Sequence, residues 1–183
     1  PELAAASVLI NITLVALLPG LGLGLASASL VGQALGRRDA DDAERWGWDV
    51  VRVATVLMAL LGLPMLLAPE LILDPFFDQM KGDEALAFEL ALTPLRLVGA
   101  TIMFDATGMV LLNSLMGAGA TRTSMAVSII AQWGVFLPAA YLLGPVLGGG
   151  LVAIWLAQVG YRSLQAVVLA GFWRSRSWAS IKV

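Results

Sequence analysis

The chain has 183 residues, 59% of them hydrophobic and 13% charged, with no cysteine and no histidine. Its mean hydropathy of +0.86 marks a membrane composition, against the roughly 25% charged residues of soluble domains. Without Cys or His there is no disulfide framework, no thiolate or imidazole metal site and no Ser-His or Cys-His pair, which excludes most hydrolases and redox enzymes; neither an enzyme nor a cofactor is expected. The formal net charge of -2 offers no basic field, so no nucleic-acid partner is expected either.

Pro1 opens the sequence, and no basic n-region with a cleavage site follows it. The start reads as an excerpt of a longer chain and not as a signal peptide. A spanning helix needs about 20 largely apolar residues, and the apolar runs predict five, at approximately 4–36, 51–73, 88–116, 124–143 and 151–173. The first lies between Glu2 and Arg37 and is expected to bend where Pro19, Gly20, Gly22 and Gly24 interrupt it. Its small residues Ala26, Ser27, Ala28 and Ser29 suit close helix packing, and Asn11, Thr13 and Gln33 suit interhelical hydrogen bonds. The charge run from Asp39 to Glu44 reads as a solvated loop or the start of an interfacial helix. The second apolar run, Val53 to Leu73, holds Pro64, Pro69 and the single charge Glu70. The third, between Glu89 and Arg122, contains both Arg96 and Asp105 and closes on Gly117, Ala118, Gly119 and Ala120. From Thr123 to Tyr161 there is no charge, and Gly144, Pro145 and three consecutive glycines mark a turn that divides this stretch into the last two spans.

Arg37, Arg38, Arg45, Arg52, Arg122, Arg174, Arg176 and Lys182 fall in connections on one side, whereas the other side has Lys81 with Asp74, Asp78, Asp83 and Glu84. Positive residues favour the cytoplasm, so the N-terminus is expected outside and the C-terminus in the cytoplasm. Trp46, Trp48, Trp173 and Trp178 lie near the cytoplasmic helix ends, where indole rings favour the interface.

A charged side chain at the centre of a span costs roughly 2.5 to 3.5 kcal/mol on the insertion scale, so Arg96, Asp105 and Arg162 require partners or a wet cavity. Thr101 and Gly108 share the helical face of Asp105. A carboxylate on such a face either loads and releases a proton, ligates Na⁺, or forms a static ion pair between helices. Arg96 lies nine residues from Asp105, roughly 13 Å along the axis and on the opposite side. It must snorkel or find another partner. Gln158 and Gln165 flank Arg162 on one stripe, which would pair Arg162 with Asp105 if it faced inward. Asp105 is thus a candidate to hold a cation, with the static ion pair still open. Thr101, Asn113, Arg96, Gln158 and Arg162 are candidates for the substrate cavity, and no metal is expected beyond Na⁺ at Asp105.

At Leu30-Val31-Gly32-Gln33-Ala34-Leu35-Gly36-Arg37-Arg38-Asp39, followed by Ala43, the chain resembles the multidrug and toxic compound extrusion (MATE) transporters. In that family a Gly-Gln-x-x-Gly element closes the second helix of a six-helix half. Leu95-Arg96-Leu97, Phe104-Asp105-Ala106, Gly117 to Arg122, Gly149 to Trp155 with Arg162, and Phe172 to Trp178 extend the resemblance over nearly the whole chain. It implies that residues 1–183 are helices eight to twelve, the C-terminal lobe of a V-shaped, twelve-helix transporter in the plasma membrane. Such a transporter exports organic cations or other drugs in exchange for H⁺ or Na⁺, with the tenth-helix acid at Asp105 and the N-terminal lobe supplied by the rest of the chain. The sequence departs from the family where Met116 and Ala120 replace an Arg and an Asp near the end of that helix. Two other readings stay open: a flippase for lipid-linked sugars in the same superfamily, served by Arg96 and Arg162, and a noncatalytic membrane assembly subunit. A membrane enzyme acting on lipid phosphates would need clustered Asp or His with metal spacing, and only one Asp lies within the spans.

Overall fold

The computed structural model describes residues 2–77 and 82–180. Pro1, Asp78, Lys81 and Lys182, counted above, lie outside the described residues. Among the described residues the chain is helical, without strands. The elements are α1 (Glu2–Gly36), α2 (Ala40–Leu67), the short α3 (Pro69–Leu73) with a 3-10 turn at Asp74–Phe76, α4 (Gly82–Gly117), α5 (Thr121–Ile129), α6 (Leu137–Tyr141) and α7 (Gly150–Arg174). π-helical stretches at Ile130–Phe136 and Leu142–Val146 make residues 121–146 one continuous rod, and a 3-10 turn at Ser177–Ser180 follows α7. Among the described residues five helices are long and apolar enough to cross a membrane, so the bundle is the all-α, polytopic class expected from the apolar runs.

The helix ends follow from local chemistry. α1 runs unbroken across Pro19. It closes at Arg38, where a φ of 61° lets the Arg38 amide donate to the Leu35 carbonyl (2.8 Å) and the Asp39 amide to Ala34 (3.0 Å). This paired closure usually recruits glycine. The Asp39 carboxylate accepts from the Asp42 amide at 2.9 Å, and Asp41 and Asp42 occupy the first turn, where the helix dipole favours acids. The charge run is therefore the start of α2. α4 closes the same way at Gly119 (φ 78°), with Gly119 N–H to Met116 at 3.0 Å and Ala120 N–H to Leu115 at 2.8 Å.

α4 is the central helix, packed on α1, α2 and α7. Lipid supplies no hydrophobic drive between helices, so close approach depends on small residues. At the crossing with α2, a Cβ on Gly99 would lie 2.7 Å from the Gly62 carbonyl oxygen; at the crossing with α1, a Cβ on Gly117 would lie 2.7 Å from Ala28 Cα. The buried hydroxyls of Ser27 and Ser114 hydrogen bond at 2.6 Å across that second seam. One apolar cluster, around Met58, Ile102 and Leu111, fills the arginine-rich half. Another, around Leu9, Leu73 and Leu95, fills the opposite half.

Trp173 and Trp178 depart from the interfacial belt expected of them, because both are fully buried. Their rings stack with centroids 4.4 Å apart, and Trp178 Nε1 donates to the Trp173 carbonyl at 2.9 Å. The cause is a reversal after α7. Arg176, at φ 56°, brings the tail back over α2 and ion-pairs with Asp41 and, at 2.9 Å, with Glu44. The hydrogen bond to Asp41 is the main influence raising the Arg176 pKa above its ordinary value. Gly47 leaves the space that Trp173 fills, since a Cβ there would lie 2.7 Å from Trp173 Nε1. Trp46 stays exposed and Trp48 is half-buried.

Candidate functional site

Asp105 lies within α4 and Arg162 within α7, and the structure brings them together, with Arg162 Nε 3.3 Å from Asp105 Oδ1. The carboxylate side chain is 14% exposed and the guanidinium side chain 29%. Both contacting atoms are buried without a hydrogen-bond partner, so the pair is a charge contact and not a directed, bidentate bond. α4 and α7 come close beside this pair at Gly108, on the face of Asp105, and Ala166. A Cβ at Gly108 would stand in ordinary contact with Ala166 Cβ, at 3.6 Å.

The guanidinium has a second neighbour. Arg162 Cζ lies 5.6 Å from the centroid of the Tyr161 ring, within cation-π range. Phe136, from the first π-helical stretch, holds that ring at 4.8 Å with an interplanar angle of 42°. Gln165 donates toward Ser128 Oγ at 3.5 Å, and Gln158 is half-buried one turn to the other side of Arg162. Thr101, one turn from Asp105, gives its hydroxyl to the Leu97 carbonyl at 2.8 Å.

Two candidate residues stand apart from this pair. Arg96 Nη2 meets Glu70 Oε1 at 2.7 Å, both side chains half exposed. Glu70 on α3 is thus the partner that the spacing from Asp105 demanded. Asn113 donates to the Met109 carbonyl at 2.8 Å and abuts Gly24, where a Cβ would lie 2.8 Å from its Nδ2. It belongs to the seam between α1 and α4.

Sequence reasoning did not find Tyr161 or Phe136. Tyr161 was legible as the aromatic neighbour of an intramembrane arginine. Phe136 carried no such signal, because π turns rotate the following residues away from the 3.6-residue register. Between α7 and the rod at 121–146 runs a groove of about 530 Å³, walled by Ala131, Val135, Leu164 and Val168. Gln165 lines it one turn from Arg162, and Arg122 lines it at the arginine-rich end. Among the described residues no three acidic side chains gather as a metal site.

The family model MatE matches residues 1–142. The probable multidrug resistance protein NorM of Brucella suis is 31% identical over 172 residues, covering 94% of this chain and 36% of the relative. The uncharacterized transporter YisQ of Bacillus subtilis is 27% identical, covering 92% and 36%. Among solved structures, a MOP superfamily transporter from Pyrococcus furiosus, described as having a binding pocket of reverse polarity, superposes with a TM-score of 0.85 at 21% identity, over 98% of this chain and 39% of that one. MATE family transporters described as inward-facing and outward-facing give TM-scores of 0.81 and 0.82 at 20% and 21% identity. The first covers 92% of this chain and 38% of the other, the second 100% and 40%. The five-helix fold is thus common to both arrangements. The chain spans under two fifths of the length of these two curated relatives, which are named as a resistance protein and a transporter, not as enzymes. With 142 of its 183 residues matched by the family model, the chain belongs to the MATE family.

Proposed function

We propose that residues 1–183 form the C-terminal lobe, helices eight to twelve, of a plasma-membrane antiporter that exports small amphipathic cations in exchange for H⁺ or Na⁺, with Asp105 as the coupling residue. The observation that carries this reading is the loose ion pair of Asp105 with Arg162. A carboxylate inside a span, 14% exposed and with Oδ1 lacking a donor, suits repeated loading and unloading. A strut between helices would favour a bidentate, fully bonded contact. The apolar groove between α7 and the rod, which Gln165 lines one turn from Arg162, suits substrates recognised by generic apolar surface. Loading Asp105 favours one arrangement of the two lobes, and substrate release follows that shift in population.

The flippase reading has less support, because it needs guanidinium groups free for pyrophosphate. Arg96 is paired with Glu70, and Arg162 faces the carboxylate of Asp105.

The test is ethidium efflux by the full-length transporter and its Asp105→Asn variant under separately imposed H⁺ and Na⁺ gradients. At parental expression, gradient-driven export is expected to fall at least about tenfold, a loss of about 1.4 kcal/mol of coupling. Undiminished export makes Asp105 structural. No export by either protein moves the assignment to the flippase.

A further inference from the structure

We propose that Arg162 is a tethered cation that competes with the incoming cation for Asp105, and that the Tyr161 ring receives its guanidinium on displacement. The inference rests on Asp105 being the coupling residue.

A guanidinium stays protonated throughout the physiological range, so it cannot leave a carboxylate by losing its proton. It can leave only by moving. When a proton, Na⁺ or an organic cation neutralises Asp105, the attraction across the 3.3 Å contact disappears, and a bound metal or organic cation adds repulsion. Three features prepare the guanidinium for that movement. Its Nε makes no hydrogen bond to Asp105 or to any other described residue, so no directed bond has to break. Its side chain, 29% exposed, is the less buried of the pair. A second acceptor stands near the outer limit of cation-π reach, the face of Tyr161 at 5.6 Å, braced by Phe136 at 4.8 Å, so that release from Asp105 lets this contact tighten.

The consequence concerns charge balance. With the site empty, Arg162 compensates Asp105; with the site loaded, the cation does. Asp105 is never left uncompensated within the membrane, where a lone carboxylate is costly. Competition also weakens cation binding, which promotes release. Arg162 is a positioning and affinity-setting residue, and its removal tightens binding.

The experiment measures equilibrium binding of tetraphenylphosphonium and of Na⁺ to the detergent-solubilised full-length protein, with ethidium efflux from proteoliposomes in parallel. Arg162→Gln is expected to lower the half-saturating concentration of both ions about tenfold or more, while Arg162→Lys, which keeps the charge, leaves it within about threefold. Tyr161→Leu removes the alternative seat and is expected to raise it about threefold, the lower range of a cation-π contact. In the Arg162→Gln background the same Tyr161 change is expected to do nothing, a dependence that a general packing defect would not show.

Unchanged or weaker cation binding by Arg162→Gln overturns the proposal, as does a Tyr161 effect that persists without Arg162. Absence of binding of either ion by the parent and by Arg162→Gln also overturns it. If Arg162→Gln does not fold, Tyr161→Leu is read against Tyr161→Phe, which keeps the ring: weaker binding by the leucine variant alone supports the displaced seat, and equal effects of the two changes, or no effect of either, remove it. Binding shifts as expected with no ethidium export would overturn the export assignment and leave the competitor role standing; export without the binding shifts would do the reverse.

Discussion

Two backbone crossings of the bundle depend on single hydrogen atoms. Gly99 faces the Gly62 carbonyl and Gly117 faces the backbone of Ala28, with no room for a Cβ at either place. Adding a methyl group forces the helices apart, and overpacking of this kind costs about 1–3 kcal/mol. Gly99→Ala and Gly117→Ala are each expected to lower the apparent melting temperature of the purified protein in detergent. Gly108→Ala is the control: its Cβ would meet Ala166 at an ordinary 3.6 Å, and no loss of stability is expected. A stability loss at Gly108 as large as at Gly99 would show that helix propensity or detergent contact, not the crossing, sets the result. The small residues from Ala26 to Ser29 and from Gly117 to Ala120 were legible as stripes because they come in runs. Gly62 and Gly99 stand singly in apolar stretches, and only the packing of α2 on α4 gives them meaning.

At the scale of elements, two connections use one device with different residues. Both α1 and α4 end in a left-handed residue whose amide and the next fold back onto the last turn, Arg38 at φ 61° in one and Gly119 at φ 78° in the other. For a residue with a Cβ this conformation costs about 1–2 kcal/mol. Gly119→Ala is therefore expected to destabilise by about that amount, and Arg38→Gly to relieve strain and raise the melting temperature. Opposite signs in matched thermal melts would confirm the shared closure; a loss at both positions would show that the Arg38 side chain does more than close a helix. The five spans were legible because runs of spanning length with no more than a charge or two are few in any sequence. The end of α7 was not. The position of Trp173 and Trp178 near a helix end reads as an interfacial belt, whereas Arg176 pairs with acids some 130 positions earlier in the chain and carries the tail over Gly47. Burial, not charge, holds this latch, since exposed ion pairs contribute little. Trp178→Ala is expected to cost about 3–5 kcal/mol, and Arg176→Gln to change the melting temperature only slightly. A larger loss from Arg176→Gln would place the latch in the ion pairs.

At the scale of the whole molecule, Asp105 and Arg162 were legible as two expensive charges, but their meeting depended on how α4 and α7 turn toward each other, which no spacing within either helix fixes. What such a pair does depends on whether water reaches it. A transporter needs access to the site from solution, whereas an assembly subunit would seal the same charged faces against partner helices. The chain contains no cysteine, so in a full-length protein cleared of any cysteine elsewhere, single replacements report on access directly. Gln158→Cys, one turn from Arg162, is expected to react with a small charged thiol reagent and to be protected by tetraphenylphosphonium. Two further positions read the proposed orientation in intact cells. Leu86→Cys, at an exposed position near the start of α4, is expected to react with an impermeant maleimide. Arg45→Cys, at an exposed position in the first turns of α2, is expected to react only after the cells are opened. A Gln158→Cys that stays unreactive in opened cells, while Leu86→Cys reacts normally, would identify a sealed face and remove the transport pathway from this pair. Reaction at Arg45→Cys in intact cells would invert the topology, and the arginine-rich end would then face outward, against the charge rule that assigns it to the cytoplasm.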